Sequence, residues 1–315
     1  MYLSDNKKEF LDFPQELYKG DPFYTTKSED ISQCEKIFLV KNEDKILARA
    51  GIFKGNPAQI GFFEAENDFE AVKFLFDEIK KYACTKGYDY LIGPINGSTW
   101  KKYRVTLPSN NPPFLLDNYN KPYYAQLFER YGFETIANYT SSISKELNKD
   151  YSRLEKFAKV FENKGVKIRK FEPQNFDRDI RKIYEVSIKS FVNNFLYTPI
   201  KYEDFYKMYE PVKSFLNPEW ILLAENEQND AIAFIFGFDN LYNRTEKSLI
   251  LKTLAQIPDY QYRGIGSYLT ELMHKKAYIA GYNSIIHALM HESNVSANIL
   301  SGELYHEYKL YGVKL

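Results

Sequence analysis

The first half of the chain contains short apolar runs and one long amphipathic stretch. From Phe69 to Ala83 the apolar residues recur at spacings of three and four, which predicts a helix that starts near Asn67 or Asp68 and ends at Gly87. Apolar runs bounded by turn residues predict strands on either side of this helix. The predicted strands are 36–41, 46–53, 59–63, 88–95 and 136–144, with an amphipathic piece at 10–18 and a short helix at 123–133.

The second half mixes helical and extended patterns. Helices are predicted at 152–163, 177–191, 202–215, 295–301 and from the turn after 259 to 280, and strands at 166–171, 220–225, 231–239, 248–257, 284–290 and 304–313. Strands come first and a strand–helix–strand unit follows. This order predicts an α/β fold with a twisted mixed β-sheet flanked by helices.

The two halves resemble each other weakly. The segments "KKYACTKGYDYLI" and "KKAYIAGYNSIIHAL" both end a helix at Gly-Tyr and enter an apolar strand, which suggests two copies of one domain. A length of 315 residues also fits two domains. With 148–150 as the linker, the predicted domains are 1–147 and 151–315.

Charge and composition exclude several classes of protein. Lys plus Arg and Asp plus Glu are both 42, and this balance argues against a general nucleic-acid or membrane-surface binder. Cys34 and Cys84 form no metal-binding pair, and no metal site is expected. The chain shows no apolar run long enough for a signal peptide or a membrane span, so we expect a cytoplasmic protein.

The candidate chemistry lies in "DYQYRGIGSYLTELM", Asp259–Met273. It is not the dinucleotide fingerprint, because Leu269 replaces the third glycine, and it lacks the Gly-Lys-Ser/Thr of a Walker loop. What remains is Gln261-x-x-Gly264-x-Gly266 between a strand and a helix. Free N–H groups at a helix start can hold a pyrophosphate, although a glycine corner without a ligand is the alternative.

This stretch resembles motif A of the GNAT superfamily of acyl-CoA-dependent N-acyltransferases, Q/R-x-x-G-x-G/A. The flanking "LILKTLAQ" and "IIHALMHESN" resemble the two strands that splay apart in that family, and the resemblance covers about 150–315. It implies that the main chain around the motif holds the CoA pyrophosphate and that the strand edge at Ala255 and Ile257 pairs with pantetheine. The implied pyrophosphate-binding residues are Gln261, Tyr262, Arg263, Gly264, Ile265, Gly266 and Ser267.

The resemblance weakens after this motif. Asn294 matches the start of the family's motif B helix, with Ala297 and Leu300 at the expected spacing. The family's general-acid tyrosine falls on Ser301, and Tyr305 is the nearest substitute.

The first half resembles a degenerate copy of the same domain. "LFERYGF", 127–133, looks like the end of motif B, but the two motif glycines align with Glu70 and Val72 or with Phe69 and Ala71. Carboxylates surround that helix start and would repel a pyrophosphate. We expect no CoA there. The aromatic loop after Asn96 either shapes an acceptor cleft or packs as ordinary core; its residues are Trp100, Tyr103, Arg104, Tyr119, Tyr123 and Tyr124.

The implied reaction is direct attack of an amine on the thioester, with the N–H near Ala255 as the donor to the thioester oxygen. Candidate catalytic residues are His287, for which a structural role is the alternative, together with Glu292 and Tyr305. The segment 191–197 is a candidate acceptor site. The predicted function is acyl transfer from acetyl-CoA or another acyl-CoA to a small-molecule or peptide amine. The alternatives are a catalytically inactive acyl-CoA-binding sensor or scaffold, and transfer from aminoacyl-tRNA.

Overall fold

The computed structural model describes residues 1–25, 29–243, 245–292 and 302–315. The chain forms two compact units: the first contains Met1–Tyr139 and His306–Leu315, and the second contains Thr140–Tyr305. The domain boundary predicted from the sequence places the last ten residues in the second domain. They belong to the first unit because their strand pairs there, with Tyr311 opposite Gly93.

The elements of the first unit occur in the following order along the chain. They are β1 (Tyr2–Ser4), α1 (Lys7–Leu17), β2 (Cys34–Asn42), β3 (Lys45–Phe53), β4 (Ala58–Ala65), α2 (Phe69–Thr85), β5 (Tyr90–Gly93), β6 (Val105–Thr106), α3 (Tyr124–Tyr131) and the first part of β7 (Glu134–Ser144).

The elements of the second unit follow. They are α4 (Arg153–Glu162), β8 (Lys167–Lys170), α5 (Phe176–Ser190), α6 (Tyr202–Tyr209), β9 (Ile221–Glu225), β10 (Ala231–Asp239), β11 (Ser248–Gln256), α7 (Ile265–Ile279) and β12 (Ser284–His291). The chain ends with β13 (Glu303–Lys314), of which the residues from His306 onward belong to the first unit.

Both units contain a mixed sheet, as predicted. In the first, β1 to β4 are antiparallel neighbours and β4 and β5 are parallel. In the second, β8 to β11 are antiparallel neighbours and β11 and β12 are parallel. In each unit an antiparallel set of strands leads through one long helix, α2 or α7, into a parallel strand. This shared order supports the interpretation of two copies of one domain.

Helix α2 shows how the local sequence defines an element. The carboxylate of Asp68 accepts a hydrogen bond from the N–H of Ala71 at 3.1 Å and caps the first turn. Gly87, at φ 76°, follows the helix end in a conformation that favours glycine. The buried face packs Phe76 against Phe63 and Phe128, with ring centroids 5.5 and 5.1 Å away. The predicted helix is confirmed.

The core of the second unit lies between α4, α7 and the sheet. Leu269 and Met273 of α7 are fully buried in one hydrophobic cluster with Leu249 of β11 and Phe161 of α4. Helix α5 contacts β10 and β11, and α6 contacts α5. The central strand β11 is therefore covered by helices, and its far end leads directly into α7.

Two predicted helices need comment. The helix predicted over 202–215 is shorter, because α6 ends at Tyr209 and a 3₁₀ helix, Glu210–Phe215, follows. Pro211 lacks the N–H that an α-helix needs at this position. The helix predicted over 295–301 lies outside the described residues. Within the described ranges, we find no helix with the length and apolar character needed to cross a membrane.

Candidate acyl-CoA site

A gap opens between β11 and β12 in the second unit. Their parallel ladder pairs Ser248–Leu251 with Ser284–His287, and both strands then continue, β11 to Gln256 and β12 to His291. On the other side of β11, Phe236 lies opposite Thr253 and Gly237 opposite Leu251, so Lys252 is the extra residue of a β-bulge. A bulge bends its strand and increases its twist. The bulge therefore lies where β11 separates from β12.

The phase of β11 decides which main-chain groups face this gap. The N–H of Ile257 donates to the carbonyl of Ile232, next to β10, at 2.8 Å. Because alternate residues of an antiparallel strand turn their polar groups to the same side, Ala255 also faces β10. The prediction of Ala255 and Ile257 as the pairing edge is wrong by one residue. Leu254 and Gln256 present their N–H and C=O groups to the open side.

The glycine motif forms a turn at the start of α7. Gly264 is at φ 95°, the left-handed region that favours glycine, and it is the N-cap residue of the helix. A Cβ at Gly264 would have only one neighbour within 4 Å, the ring of Phe161 at 4.0 Å. This glycine is therefore required by the backbone conformation and not by crowding.

The main-chain donors of this turn fall into two groups. The N–H groups of Gln261, Tyr262 and Arg263 bond within the turn itself, to Asp259 and Tyr260. In the described part of the chain, the N–H groups of Gly264, Ile265 and Ser267 make no hydrogen bond. Of the seven predicted donors, only those at the helix start are thus available to a ligand.

The fourth donor of the helix start, the N–H of Gly266, bonds to Oε1 of Gln256 at 3.1 Å. A Cβ at Gly266 would lie 3.0 Å from that oxygen and 3.5 Å from the side chain of Leu254. Gln256 thus places a partially negative oxygen against the helix N-terminus, where the helix dipole favours negative charge. Sequence reasoning missed this contact; the signal was a polar residue at the end of an otherwise apolar strand.

The side chains of the motif have different environments. Tyr262 is buried in the core, so only its main chain can contribute to a site. Arg263 is exposed. Lys164, from the loop after α4, donates to the carbonyl of Gln261 at 2.5 Å and adds a second positive charge beside the turn.

The predicted base His287 is buried in the core of the second unit. Its Nε2 lies 3.1 Å from Nε2 of His274 on α7, and the two residues are 4 % and 5 % exposed. Burial, together with the neighbouring His274, lowers the pKa of His287 to about 3, and burial lowers the pKa of His274 to about 4. A group of such low basicity is a poor base at neutral pH. The geometry agrees with the structural role that the sequence left open.

The other predicted catalytic residues differ in their exposure. Glu292 is exposed directly after β12, and Tyr305 is buried near the start of β13. Asn294 lies outside the described residues, as do Ala297, Leu300 and Ser301.

An apolar pocket of about 650 Å³ adjoins the motif. Helix α5, the loop after it and the segment Ile257–Asp259 line the pocket. The predicted acceptor segment contributes Val192 and Tyr197 to its wall. Its size is in the range of small-molecule sites, which are usually lined mainly by apolar groups.

Comparison with known proteins gives a clear result only at the level of structure. No protein-family model matches the sequence, and no curated protein matches it. Among solved structures, a GCN5-related N-acetyltransferase from Sphaerobacter thermophilus aligns with a TM-score of 0.54 and 13% identity, over 95% of this chain and 89% of that one. The chain has the GNAT fold.

Two further solved structures are similar in fold to this chain. A tandem GNAT protein from the clavulanic acid biosynthesis pathway aligns with a TM-score of 0.55 and 10% identity, over 99% of this chain and 97% of that one. A GCN5-related glucosamine N-acetyltransferase region of a fungal multi-domain protein aligns with a TM-score of 0.56 and 12% identity, over 99% of this chain and 38% of that one. At these identities the likeness concerns the fold.

The corresponding helix start of the first unit differs from α7. Helix α2 is capped by the carboxylate of Asp68, and Glu70 lies in its first turn. A helix start that carries its own negative charges is a poor site for a pyrophosphate. This supports the prediction that the first unit holds no CoA there.

Proposed function

We propose that this GNAT-fold chain is an N-acyltransferase that moves an acyl group from acetyl-CoA or another acyl-CoA to a primary amine. One observation carries the proposal. Among the described residues, the N–H groups of Gly264, Ile265 and Ser267 at the start of α7 have no hydrogen-bond partner, and the N–H of Gly266 next to them is held by the side chain of Gln256. Converging N–H groups at a helix N-terminus suit a pyrophosphate.

The strand that leads into this helix supports the same proposal. Within the described ranges, the main-chain groups of Leu254 and Gln256 along the open side of β11 have no partner, so an amide-containing chain such as pantetheine can pair there as a peptide pairs with a sheet edge. In the proposed reaction the amine nitrogen attacks the thioester carbonyl carbon. The C–N bond forms, the C–S bond breaks, and CoA leaves as a thiolate that gains the proton given up by the amine.

The roles of individual residues follow from their environments. The N–H of Leu254 replaces that of Ala255 as the candidate donor to the thioester oxygen. Among the candidate bases we favour Glu292, because His287 is held by His274 in the core. The apolar pocket beside Ile257 is the proposed site for the amine acceptor, a small molecule or a peptide.

The test is calorimetric titration of acetyl-CoA, followed by measurement of free thiol with a panel of amines. Gly264→Glu should abolish CoA binding, because a carboxylate would enter the anion site. Gly281→Glu is the matched control: Gly281 is also left-handed, at φ 73°, but lies beyond the opposite end of α7 with open space around it. Equal CoA affinity in the two variants would contradict the proposed site.

The burial of His287 favours one second candidate function. If the chain holds acyl-CoA without turnover, as a sensor or scaffold, titration will show binding while no amine releases thiol. A Glu292→Gln variant tests whether Glu292 acts as the general base. Under the proposed reaction it should lower kcat most strongly at neutral pH and leave CoA affinity unchanged.

A further inference from the structure

The apolar pocket beside the glycine motif has a wall of one chemical type. Of its ten described lining residues, eight have apolar or aromatic side chains, and the charged ones, Lys189 and Asp259, are both exposed. The hydroxyl of Tyr184 on α5 donates to the carbonyl of Ile200 at 3.0 Å, so this polar group of the wall already has a partner. Charge is therefore confined to the rim of the pocket, and its interior is apolar.

Such an interior selects the part of a ligand that enters it. Burial of apolar surface is favourable in proportion to its area. A hydroxyl group that loses its water without finding a partner costs free energy, and an ammonium group costs more. A sugar or a polyamine is thus disfavoured in this pocket, whereas an alkyl chain or an aromatic ring fits its volume of about 650 Å³.

The loop after α5 connects this pocket to the open end of β12. Val192 and Tyr197 of the loop line the pocket. Between them in sequence, Phe195 places its ring centroid 5.8 Å from that of His291, the last residue of β12. The exposed Glu292, the favoured base, follows directly. A ligand that lies along this loop meets apolar surface at one end and a carboxylate, which attracts an ammonium group, at the other.

The acyl chain of the donor runs in another direction. In the proposed complex the pyrophosphate lies at the start of α7, and pantetheine pairs first with Gln256 and then with Leu254. The acyl group therefore continues past Leu254 toward the bulge at Lys252. The pocket adjoins Ile257–Asp259, on the pyrophosphate side of Gln256. An acyl chain would have to turn back along pantetheine to enter the pocket, so the pocket is left to the acceptor.

We propose that the acceptor is an elongated primary amine with one ammonium group and an apolar tail, alkyl or aryl, that occupies this pocket. Ile257 lies three residues beyond Leu254, a separation of about 10 Å in an extended strand, which sets the length that the acceptor must span. The role of this amine as acceptor rests on the proposed function, whereas the binding of its tail depends on the pocket alone.

The test compares matched amines with the full-length protein. Butylamine, hexylamine and octylamine are assayed for thiol release from acetyl-CoA, each beside the diamine of the same chain length. Each added methylene of the monoamines should raise kcat/KM by about fourfold until the pocket is filled. The diamine of octyl length should be at least about tenfold poorer than octylamine, because its second ammonium group would lose water in the pocket. Equal or better turnover of that diamine would overturn the proposal.

Two exposed valines provide a matched pair of variants. Val192 lines the pocket and is 53 % exposed, whereas Val212, in the 3₁₀ helix after α6, is 41 % exposed and is not among the described lining residues. Val192→Asp places a carboxylate at the tail site, so it should lower kcat/KM for octylamine at least about fivefold and raise it for the octyl diamine. Val212→Asp should change either value less than about twofold. An unchanged preference between the two amines in Val192→Asp would show that the tail does not enter the pocket.

Binding measurements separate the nature of the acceptor from the proposed function. Saturation-transfer NMR of octylamine without acetyl-CoA, and calorimetry of acetyl-CoA without amine, follow the two ligands independently. If acetyl-CoA binds but only hydrophilic amines release thiol, the function stands and the apolar acceptor is wrong. If octylamine binds and Val192→Asp weakens it, while acetyl-CoA does not bind, the pocket assignment stands and the proposed function is wrong. Tighter binding of octanoyl-CoA than of acetyl-CoA, lost in Val192→Asp, would place an acyl chain in the pocket and overturn the proposal.

Discussion

The buried pair of His274 and His287 predicts how the second unit responds to acid. Their Nε2 atoms are 3.1 Å apart, so one ring must donate and the other accept, and burial lowers the pKa of both rings, which keeps both neutral at neutral pH. Protonation of both rings would set two N–H groups against each other in the core. Acid therefore favours the unfolded chain, where each imidazole can be protonated in water.

The sign and size of the effect follow from the pKa values. Burial lowers the pKa of His274 from 6.5 to about 4 and, with the nearby His274, that of His287 from 6.5 to about 3. The contribution to stability is therefore complete above pH 6.5 and is lost progressively as the pH falls toward those values. Between pH 7 and pH 5 each histidine should lower the free energy of unfolding by about 2 kcal/mol, or about 4 kcal/mol together.

The assay can follow the second unit alone. The chain has two tryptophans, Trp100 in the first unit and Trp220, 4 % exposed, in the second. In a Trp100→Phe background, urea unfolding monitored by Trp220 fluorescence gives the free energy of unfolding at pH 7 and at pH 5. The comparison variant is His274→Leu/His287→Leu, which removes both titrating rings and keeps apolar volume at both positions.

The double variant should lose about 4 kcal/mol less than the reference protein between the two pH values. The quantity to compare is the loss of unfolding free energy from pH 7 to pH 5 in the two proteins, because other groups that titrate in this range contribute to both. If the two proteins show the same loss of stability from pH 7 to pH 5, the assigned protonation states are wrong.

Three further predictions concern single positions. Gly264→Ala and Gly281→Ala should each cost about 1–2 kcal/mol of stability in urea unfolding, because both positions are left-handed, but only Gly264→Ala should weaken CoA binding in calorimetry. Arg169→Met should lower the stability of the second unit by about 1.5–3 kcal/mol in the Trp220 assay, because it removes two charge-assisted hydrogen bonds from the fully buried Asp179, which keeps Arg178 as a partner; a loss below about 0.5 kcal/mol would contradict this. Tyr124→Phe removes a buried hydroxyl from Glu64 and should cost about 1–3 kcal/mol in calorimetric unfolding, with an unchanged melting temperature as the opposing result.

Features that depend on neighbours along the chain could be predicted from the sequence. Helix α2 was predicted from its apolar spacing, and its cap at Asp68 and its end at Gly87 are both local. The turn at Gly264 could also be predicted, because glycine is the residue that most readily adopts the left-handed conformation found there. The mixed sheet followed from the order of such elements, whereas the GNAT fold was implied by the resemblance of the motif Gln261-x-x-Gly264-x-Gly266 and its flanking strands to that superfamily.

Strand registers were beyond the reach of these local patterns. A shift of one residue exchanges the two sides of a strand, so the sequence could name β11 but not the residues that face the gap. The ladder with β10 decides that these are Leu254 and Gln256.

Long-range packing decided the remaining features. His287 meets His274 across the interface of β12 and α7, and the last ten residues join the first unit through β13 and β5. The sequence by itself determined the elements, their order and the glycine turn, because short-range capping and spacing control them. The tertiary structure decided which main-chain groups stay unpaired and which histidine is buried, because those depend on hydrogen bonds and packing between residues distant in the chain.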